Sequence, residues 1–314
     1  MEKLPKQFLI SAKQCGFDIK QMIAKDTPHL FLHYNKILSI KEINGIVLKG
    51  RELSSGFVGE IRIKKDAKIK KPIYFCFGMT QNKGEQIILP EFVIEDGAEV
   101  EILAHCTFPN AKEIIHRMRA KVRIGKKANF IYKERHYHGE KSGARVFPDF
   151  DTFIDRGGIF KTSFILSEGT VGEVNINLLV NAERDSLCEI ESKALGKNKN
   201  DNIFIYDKIN LNGEDAKSLI KMRAAATGGG KVLMQGETYA KAARTFGHVD
   251  CKEIVQGAGS KAKAIPIVEV SNDQARVTHE ASVGKINQKE LDTLMARGLS
   301  EEQAAELIIR GLLG

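Results

Sequence analysis

Three places in the 314-residue chain gather side chains that bind metals or move protons. His279 and Glu280 adjoin in VTHEASVGKI (277–286), Cys251 stands between His248 and Glu253 in FGHVDCKE, and His136 and His138 alternate in KERHYHGE. Imidazole, thiolate and carboxylate suit zinc, iron and iron–sulfur species. On a strand, positions two apart share a face. Cys251 and Glu253 therefore point together and His248 away, so a bend is needed to converge all three. His279 and Glu280 point to opposite faces; Glu280 can pair with Lys285, and His279 is a core histidine or a ligand. His136 and His138 share a face, expected to be the outer, solvated face of a coil, and a two-histidine metal site is the alternative. A general acid/base pair of Glu and His would suit a polysaccharide-cleaving β-helix enzyme. Against that, the chain has no Trp for sugar stacking and no cluster of Asp along one groove.

Other motifs exclude more than they assign. The run TGGGKV (227–232) departs from a phosphate loop, with Ala225 where a glycine is needed and Val232 where a hydroxyl is needed. It reads as a flexible loop, and no nucleotide is expected to bind this chain. The cysteines Cys15, Cys76, Cys106, Cys188 and Cys251 are odd in number, widely spaced and without a C-x-x-C pair, which disfavours disulfides and a self-contained zinc or ferredoxin-type site. Residues 1–80 hold 15 Lys/Arg against 7 Asp/Glu, so the whole excess of +8 lies there and the remainder balances at 33 against 33. Without aromatic interleaving this is a solubilising face, and no nucleic acid is expected. No apolar run reaches membrane-spanning length and the charged start lacks a leader pattern, so a cytoplasmic protein with no membrane partner is expected.

The elements that must position these residues are short strands. After Arg51, alternating segments such as IRIKKDAKIK, FVIEDGAEVEI and KVRIGKKANFIY recur, each broken by a turn centred on a small residue. The centres are Ala67, Ala98, Ala128, Gly158, Ser186, Ala216, a weaker Ala243, and Ala275, at separations of 31, 30, 30, 28, 30, 27 and 32. A unit of this size has alternating strands and little to seal its own core, so units must stack. The pattern predicts a mainly β fold, a parallel β-helix or similar β-solenoid, over 51–282. Residues 1–50 form an N-terminal cap with helical pieces, and 283–314 a helix-turn-helix tail. The competing architecture is a sandwich of repeated hairpins. In the tail, Asn287 and Ser300 open two helices, and Gly298 and Gly311 end them. Leu291, Leu294, Met295, Leu307 and Ile308 form an apolar stripe that either caps an open sheet end or docks a partner.

The C-terminal segment carries a resemblance. His279-Glu280-Ala281-Ser282-Val283-Gly284-Lys285-Ile286, followed by Arg297-Gly298-Leu299-Ser300-Glu301-Glu302, closely resembles the end of SufB/SufD proteins, the SUF-system iron–sulfur cluster assembly family. More weakly, CKEIVQGAGSKAKAIPIVEV resembles the preceding family segment. The resemblance implies a right-handed parallel β-helix and a scaffold rather than an enzyme. It implies a homodimer or a heterodimer with another SufB/SufD-type subunit, docked through the helical tail to a SufC-type ABC ATPase, with sulfur from a cysteine desulfurase. The cargo is a transient iron–sulfur cluster or iron. His279 matches the family's motif histidine and Glu280 its second acid, while Thr278 replaces the first acid. Ser260 stands where the family's cluster-associated cysteine falls, so the resemblance implies either that Cys251 takes the thiolate role or that the chain is a SufD-like subunit that does not build the cluster alone. A structural metal-binding protein is the further alternative.

Overall fold

The computed structural model describes residues 6–14, 16–140 and 143–314; Cys15 lies outside the described residues. Helices α1 (Lys6–Gln14) and α2 (Ile19–Met22) precede the first strands, β1 (His29–His33), β2 (Lys36–Lys41), β3 (Ile46–Leu53), β4 (Gly56–Ile63) and β5 (Ile73–Gly78). Longer strands follow: β6 (Lys83–Ile94), β7 (Glu99–Phe108), β8 (Glu113–Ile124), β9 (Asn129–His138), β10 (Ala144–Ile154), β11 (Ile159–Glu168) and β12 (Gly172–Ala182). The series ends with β13 (Leu187–Gly196), β14 (Asn202–Leu211), β15 (Lys217–Thr227), β16 (Lys231–Ala240), β17 (Phe246–Gln256), β18 (Lys261–Val270) and β19 (Arg276–Gly284), and then α3 (Gln288–Met295) and α4 (Glu301–Leu313).

From β5 onward, odd-numbered strands build one sheet and even-numbered strands the other. Each pairs in parallel with the strand two places on, so Cys106 lies beside His136 and Met222 beside Cys251. Among the described residues, antiparallel pairs occur only between β1 and β2 and between β3 and β4, at the N-terminal end. This is a β-solenoid of about eight turns, and its parallel pairing excludes the sandwich of hairpins.

The repeat originates at one corner of each coil. From the β4–β5 passage to the β16–β17 passage, each step from an even strand to the next odd strand holds one residue in a left-handed conformation: Asp66, Gly97, Lys127, Gly157, Asp185, Asp215 and Arg244. Its amide donates to a carbonyl in the next coil's corner, as Gly97 N to Lys126 O and Lys127 N to Arg156 O, both 2.8–3.0 Å. The following residue turns into the tight interior, which requires it to be small. A Cβ on Gly158 would lie 2.8 Å from the Ile154 side chain and 2.9 Å from a carbonyl oxygen. This geometry corrects one turn. Thr245, not Ala243, follows the left-handed Arg244, and its hydroxyl donates to Ala242 O at 2.9 Å. The irregular steps of 27 and 32 thus become 29 and 30, and the stack is more regular than small residues alone indicate.

Inward-facing Ile, Val, Leu and Phe fill the space between the sheets as one continuous core. Phe130 and Phe160 stack between adjacent coils of one sheet with ring centroids 5.6 Å apart, and Phe92 meets Phe130 from the other sheet at 5.8 Å. TGGGKV is the opposite corner of a coil rather than a flexible loop. Gly228 and Gly229 take positive φ, and the Gly229 amide donates to Ser260 Oγ in the next coil at 3.0 Å.

The helical tail folds back along the flank. Ala304, Ala305, Ile309 and Leu313 of α4, with Leu291 of α3, pack on Ala225 and Ile254 at the ends of β15 and β17. Asn287 caps α3 through its side chain, and Ser300 and Gln303 complete a capping box on α4. Gly298 takes φ +95°, as its place past the end of α3 requires. The expected stop at Gly311 is not there. Helix α4 continues to Leu313, because that side chain is buried against the sheet and its anchoring outweighs the weak helix preference of one glycine.

Candidate functional site

The C-terminal end of the solenoid is where the residues of VTHEASVGKI stand. Strands β18 and β19 are the last in their sheets, and their side chains are far more exposed than those of any coil behind them. His279 pairs with Val249 and Ala281 with Cys251, so His279 continues the inward-facing row and is exposed only because no coil follows. Cys251 and His279 are diagonal neighbours on that face, their Cα atoms on the order of 8 Å apart by strand spacing and rise. Glu280 lies beside Asp250 on the opposite face, so the structure does not bring it to His279 and Cys251. His248 also faces outward, where its Nδ1 meets Thr278 Oγ1 at 2.8 Å. Thr278, which replaces an acid of the motif, thus serves as its hydrogen-bond partner.

Cys251 is 2% exposed, and burial, then the neighbouring Glu253, push its thiol up to about 12. Glu253 is equally buried, and neither carboxylate oxygen has a hydrogen-bond partner among the described residues. Burial pushes it up to about 7, with Arg223 pulling the other way. Near neutral pH the thiol holds its proton and the carboxyl is about half protonated, and a cation arriving there would displace those protons. A groove of about 700 Å³ opens next to Glu253 and is lined by Lys193, Lys221, Arg223, Lys252 and Lys285, a cationic wall beside the open end. Arg223 is held in a forked pair with Asp250. Ser260 sits in a corner, accepting from Gly229 N and donating to Gln256 O, each at 3.0 Å; its hydroxyl joins two coils.

On the tail, Leu291 is buried, Leu294 and Ile308 are half-buried against the flank, and Met295 and Leu307 are 40% and 50% exposed. The stripe is therefore divided between anchoring the tail and facing outward.

A second group of polar side chains lies inside the solenoid. His136 and His138 were expected to be outward and are instead 2% and 1% exposed, facing the interior. The inward row of β9 runs Phe130, Tyr132, Glu134, His136, His138, while Lys133 and Arg135 face out. His136 is directly beside Cys106 of β7, and His116 faces them from β8 of the other sheet. Ligand atoms of Cys106, Glu134 and His136 all lie within 4.8 Å of one another. Glu134 Oε1 is 2.6 Å from His136 Nε2 and accepts from the Cys106 thiol at 3.3 Å, while Oε2 accepts from Tyr132 at 2.9 Å. Burial alone would raise the Glu134 carboxyl, but His136, Tyr132 and Cys106 outweigh it and hold it below its usual value. Burial, then His136, push His116 down to about 3, leaving it a neutral base.

Sequence reasoning missed this group because it read two histidines without their row. The phase was available, since Phe130 and Tyr132 share their parity and Lys133 and Arg135 do not. The 30-residue offset from Cys106 to His136 equals the coil period.

Residues 80–312 match the family described as SUF system FeS cluster assembly, SufBD core domain. An iron–sulfur cluster assembly SufBD family protein of Methanocaldococcus jannaschii is 37% identical over 287 residues, covering 91% of this chain and 90% of its own. A Pyrococcus horikoshii protein of the same description is 31% identical, covering 89% and 85%. A Staphylococcus aureus relative is 25% identical over 81% of this chain and 54% of its own.

Proposed function

The chain belongs to the SufBD family of SUF-system iron–sulfur cluster assembly proteins, and from that premise we propose that it is a non-enzymatic scaffold subunit on which a nascent cluster is held. The observation that carries this reading is the position of His279. It is an exposed imidazole on the inward-facing row of an unfinished solenoid end, one coil beyond the buried thiol of Cys251 and beside a cationic groove. Imidazole and thiolate are the donors that iron and its sulfide clusters take, and the cationic wall favours approach of anionic sulfide or a cluster of negative charge. Glu280, on the outer face, serves the site only if the end of β19 turns when a partner binds.

The open edges of β18 and β19 support dimerisation through this end, with a second copy or a related subunit, because a solenoid end left unpaired invites strand addition. A junction formed there would bring His279 of each subunit to the shared surface. The tail supports docking of a SufC-type ATPase, with Met295 and Leu307 presented outward and Leu291 holding α3 to the flank. The ATPase supplies nucleotide hydrolysis, a cysteine desulfurase supplies sulfur, and assembly proceeds in the cytoplasm. No helix among the described residues is long and apolar enough to cross a membrane.

Anaerobic reconstitution with ferrous iron and sulfide tests the role. Visible sulfide-to-iron absorbance is expected in the scaffold complex. A colourless protein, with ATPase and sulfur donor both present, would count against it.

A further inference from the structure

We infer that the solenoid interior contains a metal site, separate from the C-terminal end, formed by Cys106, Glu134, His136 and His116 and suited to a borderline divalent ion such as zinc or ferrous iron. It lies about 20 Å from β17, four coil spacings along the stack.

Both sheets supply ligands. β7 and β9 place Cys106 and His136 side by side, Glu134 is two residues earlier on the same row, and His116 reaches across from β8 with its Nε2 3.9 Å from Cys106 Sγ. The tautomer of His116 follows from its neighbours. Gln86 Nε2 donates to Tyr34 O at 2.6 Å, so its Oε1 is the atom that accepts His116 Nδ1–H at 3.0 Å. Nε2 therefore carries a lone pair, aimed at the thiol. The other ligands are oriented in the same way, Glu134 by the Tyr132 hydroxyl and His136 by His138, whose Nε2 is 3.4 Å from His136 Nδ1. One hydrogen bond to the far side of each imidazole and carboxylate is how metal ligands are usually held.

Cys106, Glu134 and His136 are the three donors already gathered within 4.8 Å of one another, and His116, 3.9 Å from the thiol but outside that group, must swing inward to complete a four-donor set of one thiolate, one carboxylate and two imidazoles for a tetrahedral ion. With metal–sulfur near 2.3 Å and metal–nitrogen or –oxygen near 2.0–2.1 Å, donor atoms sit roughly 3.3–3.6 Å apart. Cys106 and Glu134 already stand at 3.3 Å, while His136 Nε2 and Glu134 Oε1, at 2.6 Å, must part by about 0.7 Å. A void of about 30 Å³ bordering Glu134 and Tyr132 gives room for that movement. On binding, the Cys106 proton is released to water. His136 and His138 both change tautomer, so that His136 Nε2 faces the ion and its Nδ1–H donates to His138 Nε2.

The test is expression of the full chain in cobalt-supplemented medium, followed by anaerobic purification, elemental analysis and absorption spectroscopy. One Co²⁺ per chain is expected, with the intense visible bands of tetrahedral cobalt and a near-ultraviolet thiolate charge-transfer band. Cys106→Ser should lose the charge-transfer band, whereas Cys251→Ser should keep it, which separates this site from the C-terminal end. If Cys106→Ser does not fold, X-ray absorption of the wild-type cobalt protein decides, with one sulfur and three nitrogen or oxygen neighbours expected. Absence of cobalt, a spectrum unchanged in folded Cys106→Ser, or a shell without sulfur would overturn the site.

Discussion

At the residue scale, polar groups on the inward-facing rows carry most of the chemical information. Asp207, 1% exposed, shows the energetic consequence. Ser192 donates to its Oδ2 at 2.8 Å, but its Oδ1 has no partner among the described residues, and burial pushes its carboxyl from 3.8 up to about 7. An acid whose pKa is raised on folding costs nothing below its unfolded value. The cost grows as pH rises from about 4 and is complete above about 7, where it is on the order of 4 kcal/mol. Asp207→Asn should therefore melt close to wild type at pH 4 and clearly above it at pH 8. Equal melting temperatures at pH 8 would mean that the carboxylate is already accommodated. The same interior rows explain what sequence reading reached. Strand parity correctly put Cys251 and Glu253 on one face with His248 opposite, and His279 opposite Glu280. It fails at His136 and His138, whose polarity points to solvent while Phe130 and Tyr132 set their row inward. That His116 joins them was not legible, since contact across the two sheets depends on how the coil closes.

At the element scale, the apolar residues of the tail divide between the flank of the solenoid and the outer surface. Leu291 is 4% exposed in the cluster that holds α3 and α4 to the flank, whereas Met295 and Leu307 face outward. Their substitutions should separate. Met295→Glu with Leu307→Glu should leave the melting temperature unchanged while abolishing capture of the SufC-type ATPase in a pull-down. Leu291→Ala should cost about 2–5 kcal/mol of local stability by leaving a cavity. Undiminished capture by the double variant would remove the tail from the docking surface. Both helices were legible from their caps, Asn287 and Ser300, because capping is local chemistry. The end of α4 was not, since Leu313 is held by a buried contact with strands more than 80 residues earlier in the chain.

At the scale of the whole molecule, the coil period is legible because six successive corners, from Asp66 to Asp215, repeat one left-handed residue followed by Ala, Gly or Ser. The two ends of the stack differ. Antiparallel pairs β1–β2 and β3–β4 finish the N-terminal end, while β18 and β19 leave exposed rows that include Val270 and Val283, each nearly half exposed. Light scattering should give a dimer mass for the chain with itself or with a related subunit, and Val270→Lys with Val283→Lys should shift it to monomer. A dimer that persists in this variant would move the interface elsewhere. The same end carries His279, the exposed imidazole of the proposed cluster site. The deciding measurement is visible absorbance after anaerobic reconstitution of wild type and His279→Ala, each with the ATPase present. Wild type should develop sulfide-to-iron bands and the exposed-site variant, folded as before, should not; equal bands in both would contradict a cluster held at this end.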